Sequence, residues 1–181
     1  NQILLCATSN GLYRTINGGT TWTQEQTGDF SQGSVRFKPN DPTIVYATTK
    51  NRFYKSTNTG DTFTNITSGL SIAAQTNRMI LDVTPADNTY VYVLSINGSN
   101  ALNGIYRSTN SGGSFTKTSG TTDVLESTQG WYDLALAVSN TNKDLVFTGC
   151  LNIWKSSNGG TAVTKVNNWS SPNSAPYTHA D

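Results

Sequence analysis

The stretch Tyr54-Lys55-Ser56-Thr57-Asn58-Thr59-Gly60-Asp61-Thr62-Phe63 decides the reading of this chain, because it occurs four times. Its other copies are Tyr13-Arg14-Thr15-Ile16-Asn17-Gly18-Gly19-Thr20-Thr21-Trp22, Tyr106-Arg107-Ser108-Thr109-Asn110-Ser111-Gly112-Gly113-Ser114-Phe115 and Trp154-Lys155-Ser156-Ser157-Asn158-Gly159-Gly160-Thr161-Ala162-Val163. The shared order is aromatic, base, Ser/Thr, x, Asn, x, Gly, x, Thr/Ser/Ala, then aromatic or Val. The asparagines Asn17, Asn58, Asn110 and Asn158 are spaced by 41, 52 and 48 residues. A repeat of that length, built of short strands, is the signature of β-propeller blades.

The flanks repeat with the boxes. Ser34 to Lys38, the turn Pro39 to Pro42 and Ile44 to Thr48 precede the second box. Met79 to Thr84, Pro85 to Asn88 and Tyr90 to Ser95 precede the third. Trp131 to Val138, Asn140 to Lys143 and Leu145 to Thr148 precede the fourth. Pro, Asn and Asp between β-rich runs mark hairpins. Each unit reads as strands A, B and C, the box turn, then D. The expected fold is all-β: a propeller of about four blades, each a four-stranded antiparallel sheet. The segments are a partial blade over 1–28, blades over 33–68, 77–119 and 130–169, and a closing strand or new blade over 176–181. An arc of a larger propeller, of seven or more blades, is favoured over a closed four-bladed ring.

Composition agrees. The 181 residues include 28 Thr, 20 Asn, 19 Ser and 16 Gly, yet 18 aromatics are spread among them, which argues for packed strands rather than disorder. Charged residues are 13% and the net charge is +1, so no basic surplus grips nucleic acid. No apolar run is long enough to enter a membrane as a helix. Scarce Lys and Glu suit a secreted or cell-surface protein. Cys6 and Cys150 are expected as two free, buried thiols rather than one bridge. The single histidine, His179, cannot build a multi-histidine metal site. No phosphate loop, dinucleotide fingerprint or Gly-x-Ser-x-Gly elbow is present, and no cofactor is expected. The chain reads as a segment of a longer protein.

The box resembles the Asp-box, or BNR repeat, of sialidases, xyloglucan-active glycoside hydrolases, sortilin-type receptors and photosystem-assembly propellers. All four boxes depart from it by carrying Asn where Asp is usual, and the fourth ends in Ala162-Val163. The closing Tyr177 to Asp181 looks like the opening of another blade in secreted bacterial propellers of this kind. A box Asn accepts a backbone N–H two residues on and fixes a tight turn. Gly19, Gly60, Gly112 and Gly160 supply unusual backbone angles. Trp22, Phe63 and Phe115 then bury a ring. This reading is structural. A calcium site is rejected, because Asn lacks the charge a hard cation wants.

The resemblance implies that boxes and A–B turns share one face, and that ligands meet the other, made by B–C and D–A connections. Asp41, Asp61, Asp87 and Asp144 are thereby turn formers or solvated charges. The remaining acids are Glu25, Asp29, Asp82, Asp123, Glu126, Asp133 and Asp181. The candidate ligand residues are Asp29, Arg78, Asp123, Glu126, Gln129, Trp131, Tyr132, His179 and Asp181. The connection Thr121 to Tyr132 is the richest, since carboxylates beside aromatics suit sugar rings. The plainer reading turns Trp131 and Tyr132 toward a neighbouring blade, and it is favoured. Arg78 is expected in an ordinary surface or interblade pairing rather than holding a carboxylate in the central channel. The loop Asn97 to Asn103 is expected to be a mobile insertion.

Two functions are weighed. The favoured one is a non-catalytic propeller module of a secreted or cell-surface protein that binds protein or glycan, its ends covered by the parent's other blades or a protein partner. The alternative is part of a glycoside hydrolase, sialidase-like or xyloglucanase-like. The sialidase opening signature Phe/Tyr-Arg-Ile-Pro is absent. Whether the chain is an enzyme is left open by its residues.

Overall fold

The computed structural model describes residues 2–71 and 76–170. Among the described residues fifteen strands form four sheets in which every neighbouring pair is antiparallel, with one helical turn between the third and fourth. The first sheet has three strands, β1 (Leu4–Ala7), β2 (Gly11–Thr15) and β3 (Thr23–Thr27). The second is β4 (Val35–Lys38), β5 (Asp41–Thr48), β6 (Phe53–Ser56) and β7 (Thr64–Ile66). The third is β8 (Arg78–Val83), β9 (Val91–Ile96), β10 (Leu102–Ser108) and β11 (Thr116–Lys117). After α1 (Gly130–Asp133) comes the fourth, β12 (Ala135–Val138), β13 (Val146–Gly149), β14 (Ile153–Ser156) and β15 (Thr164–Lys165). In each four-stranded sheet the strands lie in chain order, A to D. The first supplies B, C and D.

Strand β9, Val-Tyr-Val-Leu-Ser-Ile, is buried at all six positions because sheets cover both its faces. Three apolar clusters bind the sheets in sequence. Leu12 joins Phe30, Ala47 and Tyr54 between the first and second. Tyr46 and Phe53 join Met79, Leu81 and Phe115 between the second and third. Tyr92, Leu94 and Ile105 join Leu134, Val138 and Val146 between the third and fourth. Among the described residues no such cluster joins the fourth sheet to the first.

The boxes are one device built four times. In the third, Ser108 Oγ donates to Asn110 Oδ1 at 2.8 Å and accepts the N–H of Gly112 at 2.9 Å. Asn110 Oδ1 accepts the N–H of Ser114 at 2.9 Å, and its Nδ2 donates to the Ser114 hydroxyl at 2.9 Å. The Asn bond therefore spans four residues, not two, and the Ser/Thr hydroxyl is an equal partner in the corner. Thr15, Ser56 and Ser156 repeat that hydroxyl role. In the first three boxes the amide donates to a hydroxyl at the fourth position, a bond that the amide of Asn makes as donor. The fourth box has Ala162 there and keeps only the backbone bond.

Every box leans on the start of its own strand B: Gly18 on Gln2, Thr59 on Thr43, Ser111 on Thr89 and Gly159 on Asp144, each by an N–H to carbonyl bond of 2.7–2.8 Å. Boxes and A–B turns thus share a face. The chain reaches the opposite face through the B–C and D–A connections.

Several expectations need correction. Trp22 is 43% exposed, whereas Phe115 is 5% exposed, because among the described residues no sheet stands against the first box as the second sheet does against the third. Cys6 is exposed on β1; Cys150 is buried, and both are free thiols. The strand expected from Trp131 begins only at Ala135, after the turn α1. Asn97 to Asn103 is no loose insertion: Asn97 Oδ1 accepts the N–H groups of Ser99 and Ala101, and β10 starts at Leu102. Tyr177 to Asp181, with His179 and Asp181, lie outside the described residues.

Candidate functional site

The connection from β11 to β12 crosses the seam between the third and fourth sheets, on the face away from the boxes. Val124 and Leu125 sink into the apolar cluster there and anchor it. Asp123 Oδ1 accepts the N–H of Leu125 at 3.0 Å, closing a turn. Glu126 has a left-handed backbone, φ 51°. Its carboxylate meets Lys165 Nζ at 2.6 Å and also accepts from Asn152 Nδ2. Those two bonds tie the connection to the fourth sheet.

Gln129 opens α1. Its carbonyl accepts the N–H groups of Tyr132 at 2.8 Å and Asp133 at 3.2 Å. Gly130 is buried, and a Cβ there would stand 3.0 Å from Ile96 Cγ2, so the turn presses on the third sheet. Arg78, first residue of β8, reaches across the seam. Its Nη1 donates to the carbonyls of Tyr132 at 2.7 Å and Trp131 at 3.1 Å, with Gly130 at 3.4 Å. A four-residue helix leaves its carbonyls without internal partners, and a fixed guanidinium satisfies them. Burial pulls the Arg78 pKa below its ordinary value, while Asp133 and Cys150 act to raise it. Asp133 Oδ1 in turn accepts the Cys150 thiol at 2.9 Å. Burial, then that bond, push the thiol pKa up to about 12.

With both backbone sides held, the two rings of α1 point outward. Trp131 is 53% exposed and Tyr132 67%. Their centroids lie 5.5 Å apart at an interplanar angle of 53°. Among the described residues no neighbouring blade covers them. Arg78 contacts the next blade through main-chain oxygens rather than a carboxylate.

The structure therefore gathers Arg78, Asp123, Glu126, Gln129, Trp131 and Tyr132 around one connection. Asp29 stands elsewhere, at the seam between the first and second sheets. It accepts the N–H and hydroxyl of Ser31 at 3.0 and 2.6 Å, and these bonds hold its pKa below the usual carboxylate value. An open cleft of about 380 Å³ lies there, lined by Gln26 to Asp29, Thr49 to Arg52 and Tyr54. Lys50 and Arg52, on the B–C turn facing Asp29, escaped the sequence reading. Their signal was available, since B–C turns and D–A connections share a face.

Proteins of known structure share this fold. The chain superposes on an ancestral GH74 enzyme with a TM-score of 0.68 and 16% identity, over 92% of this chain and 22% of that one. It superposes on the GH74 enzyme of Niastella koreensis with a TM-score of 0.65 and 22% identity, over 91% and 27%. For the GH74 xyloglucanase from Xanthomonas campestris the values are 0.63 and 15%, over 98% and 29%. The chain spans under a third of the length of each. No family model matches the sequence, and no curated protein does. The likeness is one of fold: an all-β propeller, consistent with an arc of a larger ring.

Proposed function

We propose that this chain is a non-catalytic section of a propeller that holds a glycan on the face opposite its boxes, within a larger secreted or cell-surface protein. One observation carries the reading: Trp131 and Tyr132 stand side by side and exposed on a turn whose carbonyls Arg78 fixes. Two large rings in water are a cost to a soluble protein unless a ligand uses them. Sugar rings offer C–H faces that stack on aromatics, and a platform already fixed loses little entropy on binding.

The carboxylates nearby support binding rather than hydrolysis. Glycoside hydrolysis needs a protonated acid and a second carboxylate flanking the bond. Glu126 is committed to Lys165 and Asn152, Asp133 to Cys150, and Asp123 to a backbone N–H. A second reading makes the chain a section of a glycoside hydrolase whose reacting groups lie on other blades. Its support is the fold shared with GH74 enzymes, one of them a xyloglucanase.

Affinity electrophoresis through gels containing neutral β-glucans, xyloglucan or a sialylated glycoprotein tests the proposal. Retardation by a glycan, lost in the Trp131→Ala/Tyr132→Ala double variant with no reducing sugar released, is the expected result. Unchanged retardation in that variant, or none in any gel, contradicts it. Sugar release abolished by Glu126→Ala or Asp123→Ala establishes the enzyme reading instead.

A further inference from the structure

The four B–C turns of the array are Thr8 to Asn10, Thr49 to Arg52, Asn97 to Ala101 and Cys150 to Asn152. Only the second carries bases, Lys50 and Arg52. The turn itself does not need them. The Thr49 N–H donates to the Arg52 carbonyl at 3.0 Å, and the Thr49 hydroxyl accepts the N–H of Asn51 at 3.5 Å. Thr8 closes the uncharged first turn in the same way, on the Gly11 carbonyl and the N–H of Asn10. The two bases are therefore an addition to the scaffold. Both are exposed, and neither joins an ion pair among the described residues.

Both also line the open cleft of about 380 Å³ between the first and second sheets, a size within the roughly 300–1,000 Å³ of small-molecule sites. Tyr54, buried against Phe30 with ring centroids 5.6 Å apart, lines it from within the seam. Asp29 belongs to the facing connection. Its Oδ1 takes both bonds from Ser31, and among the described residues its Oδ2 accepts none. Those bonds first, and then the charge of Lys50, hold the Asp29 pKa low, so the acid is ionised and faces the bases.

Two bases and one acid leave a single positive charge over. A dianionic phosphate or a run of carboxylates would meet Asp29 as a like charge, and a neutral sugar would leave both bases idle. A ligand with one carboxylate and several hydroxyls uses every group: the bases take the carboxylate in charge-assisted bonds, and Asp29 Oδ2 and the Asn51 amide take hydroxyls. We propose that this cleft binds a uronic acid, its carboxylate on Lys50 and Arg52 and its hydroxyls on Asp29 and Asn51. The inference is independent of the ring platform, which lies at another seam and depends on Trp131 and Tyr132.

Calorimetric titration of the protein at its natural length, at pH 7, tests it. The ligands are galacturonate, trigalacturonate, methyl-esterified trigalacturonate and triglutamate. The two sugar acids should bind, and the uncharged ester should not. Equal affinity for monomer and trimer identifies a free sugar acid as the ligand; a severalfold tighter trimer identifies a unit of an acidic glycan. Lys50→Gln and Arg52→Gln should each weaken binding about tenfold or more with thermal unfolding unchanged. Lys117→Gln, at an exposed base of β11, should do neither. Asp29→Asn decides between sugar recognition and bare charge attraction. It keeps an oxygen for Ser31 but turns the free acceptor into a donor, so uronate binding should weaken severalfold, whereas charge attraction alone would tighten it. Tighter binding in Asp29→Asn, equal binding of the ester, triglutamate bound as well as trigalacturonate, or no binding of either sugar acid overturns the inference.

Discussion

Arg78 donates to the carbonyl of Tyr132 at 2.7 Å, across 54 residues of chain and one sheet-to-sheet seam. The bond joins a strand-A residue of the third sheet to the turn that displays the aromatic pair. The platform's position is thus set by a seam of the scaffold, not by the connection alone.

Arg78→Ala leaves the carbonyls of Trp131 and Tyr132 without their donor. Both bonds are exposed, so water can replace the lost donor and the cost is that of an ordinary hydrogen bond, about 0.5–1.5 kcal/mol; unfolding should shift by about that amount, and glycan retention should fall with it. Arg78→Lys keeps the charge but not the guanidinium geometry, and should lie between. Urea titration alongside affinity electrophoresis reads both. Full retention in Arg78→Ala would separate the platform from the seam.

Gly112 and Gly19 hold the same box position, φ 72° and 99°, but only Gly112 presses on another sheet. Left-handed backbone costs a non-glycine residue roughly 1–2 kcal/mol, and overpacking adds about 1–3 kcal/mol. Gly112→Ala should therefore destabilise by about 3 kcal/mol and Gly19→Ala by about 1 kcal/mol. Equal shifts in the urea midpoint would mean that the close approach to Tyr46 and Phe53 carries no weight.

The two thiols should behave differently. Cys6 is exposed, and Cys150 is buried, bonded to Asp133 and held protonated up to about pH 12. The thiolate is the reactive form. A disulfide reagent should titrate one thiol in the native protein and two in guanidinium. Two rapid native equivalents would show that the Asp133–Cys150 contact is absent.

Stability should fall on both sides of neutrality. Cys150, Tyr46 and Tyr92 are each pushed up to about 12, chiefly by burial, from ordinary values of 9.0, 10.0 and 10.0. From pH 9 upward the unfolded chain gives up protons that the folded chain keeps, so stability declines through 12. Asp29, Asp41 and Asp87 are held low, each first by a hydroxyl bond, from Ser31, Thr43 and Thr89. Their contribution is present above pH 3.8 and fades as pH drops through their folded values. All three are solvated, so the acid slope should be the shallower one. Thermal unfolding from pH 3 to 11 checks the order.

The scaffold was legible because its information is local. Asn58, Gly60 and Phe63 sit at fixed offsets, and a hairpin signal such as Pro85 to Asn88 needs no distant partner. The site was less legible because its determinants are not local. Nothing near Trp131 announces that Arg78 caps its turn, and a four-residue helix has too little periodicity to read. The partners of the Glu126 carboxylate, Lys165 and Asn152, are 39 and 26 residues away. The exposure of Trp22 depends on what stands beside the first sheet, which the box itself does not encode.

The most direct test of the central claim is fluorine NMR on protein labelled with 5-fluorotryptophan. The chain has four tryptophans, Trp22, Trp131, Trp154 and Trp169, and Trp131→Phe assigns the line that matters. Titration with oligosaccharides of whichever glycan retards the protein should move the Trp131 line and leave those of Trp22 and Trp154 in place. A glycan that binds while the Trp131 line stays fixed would contradict the account.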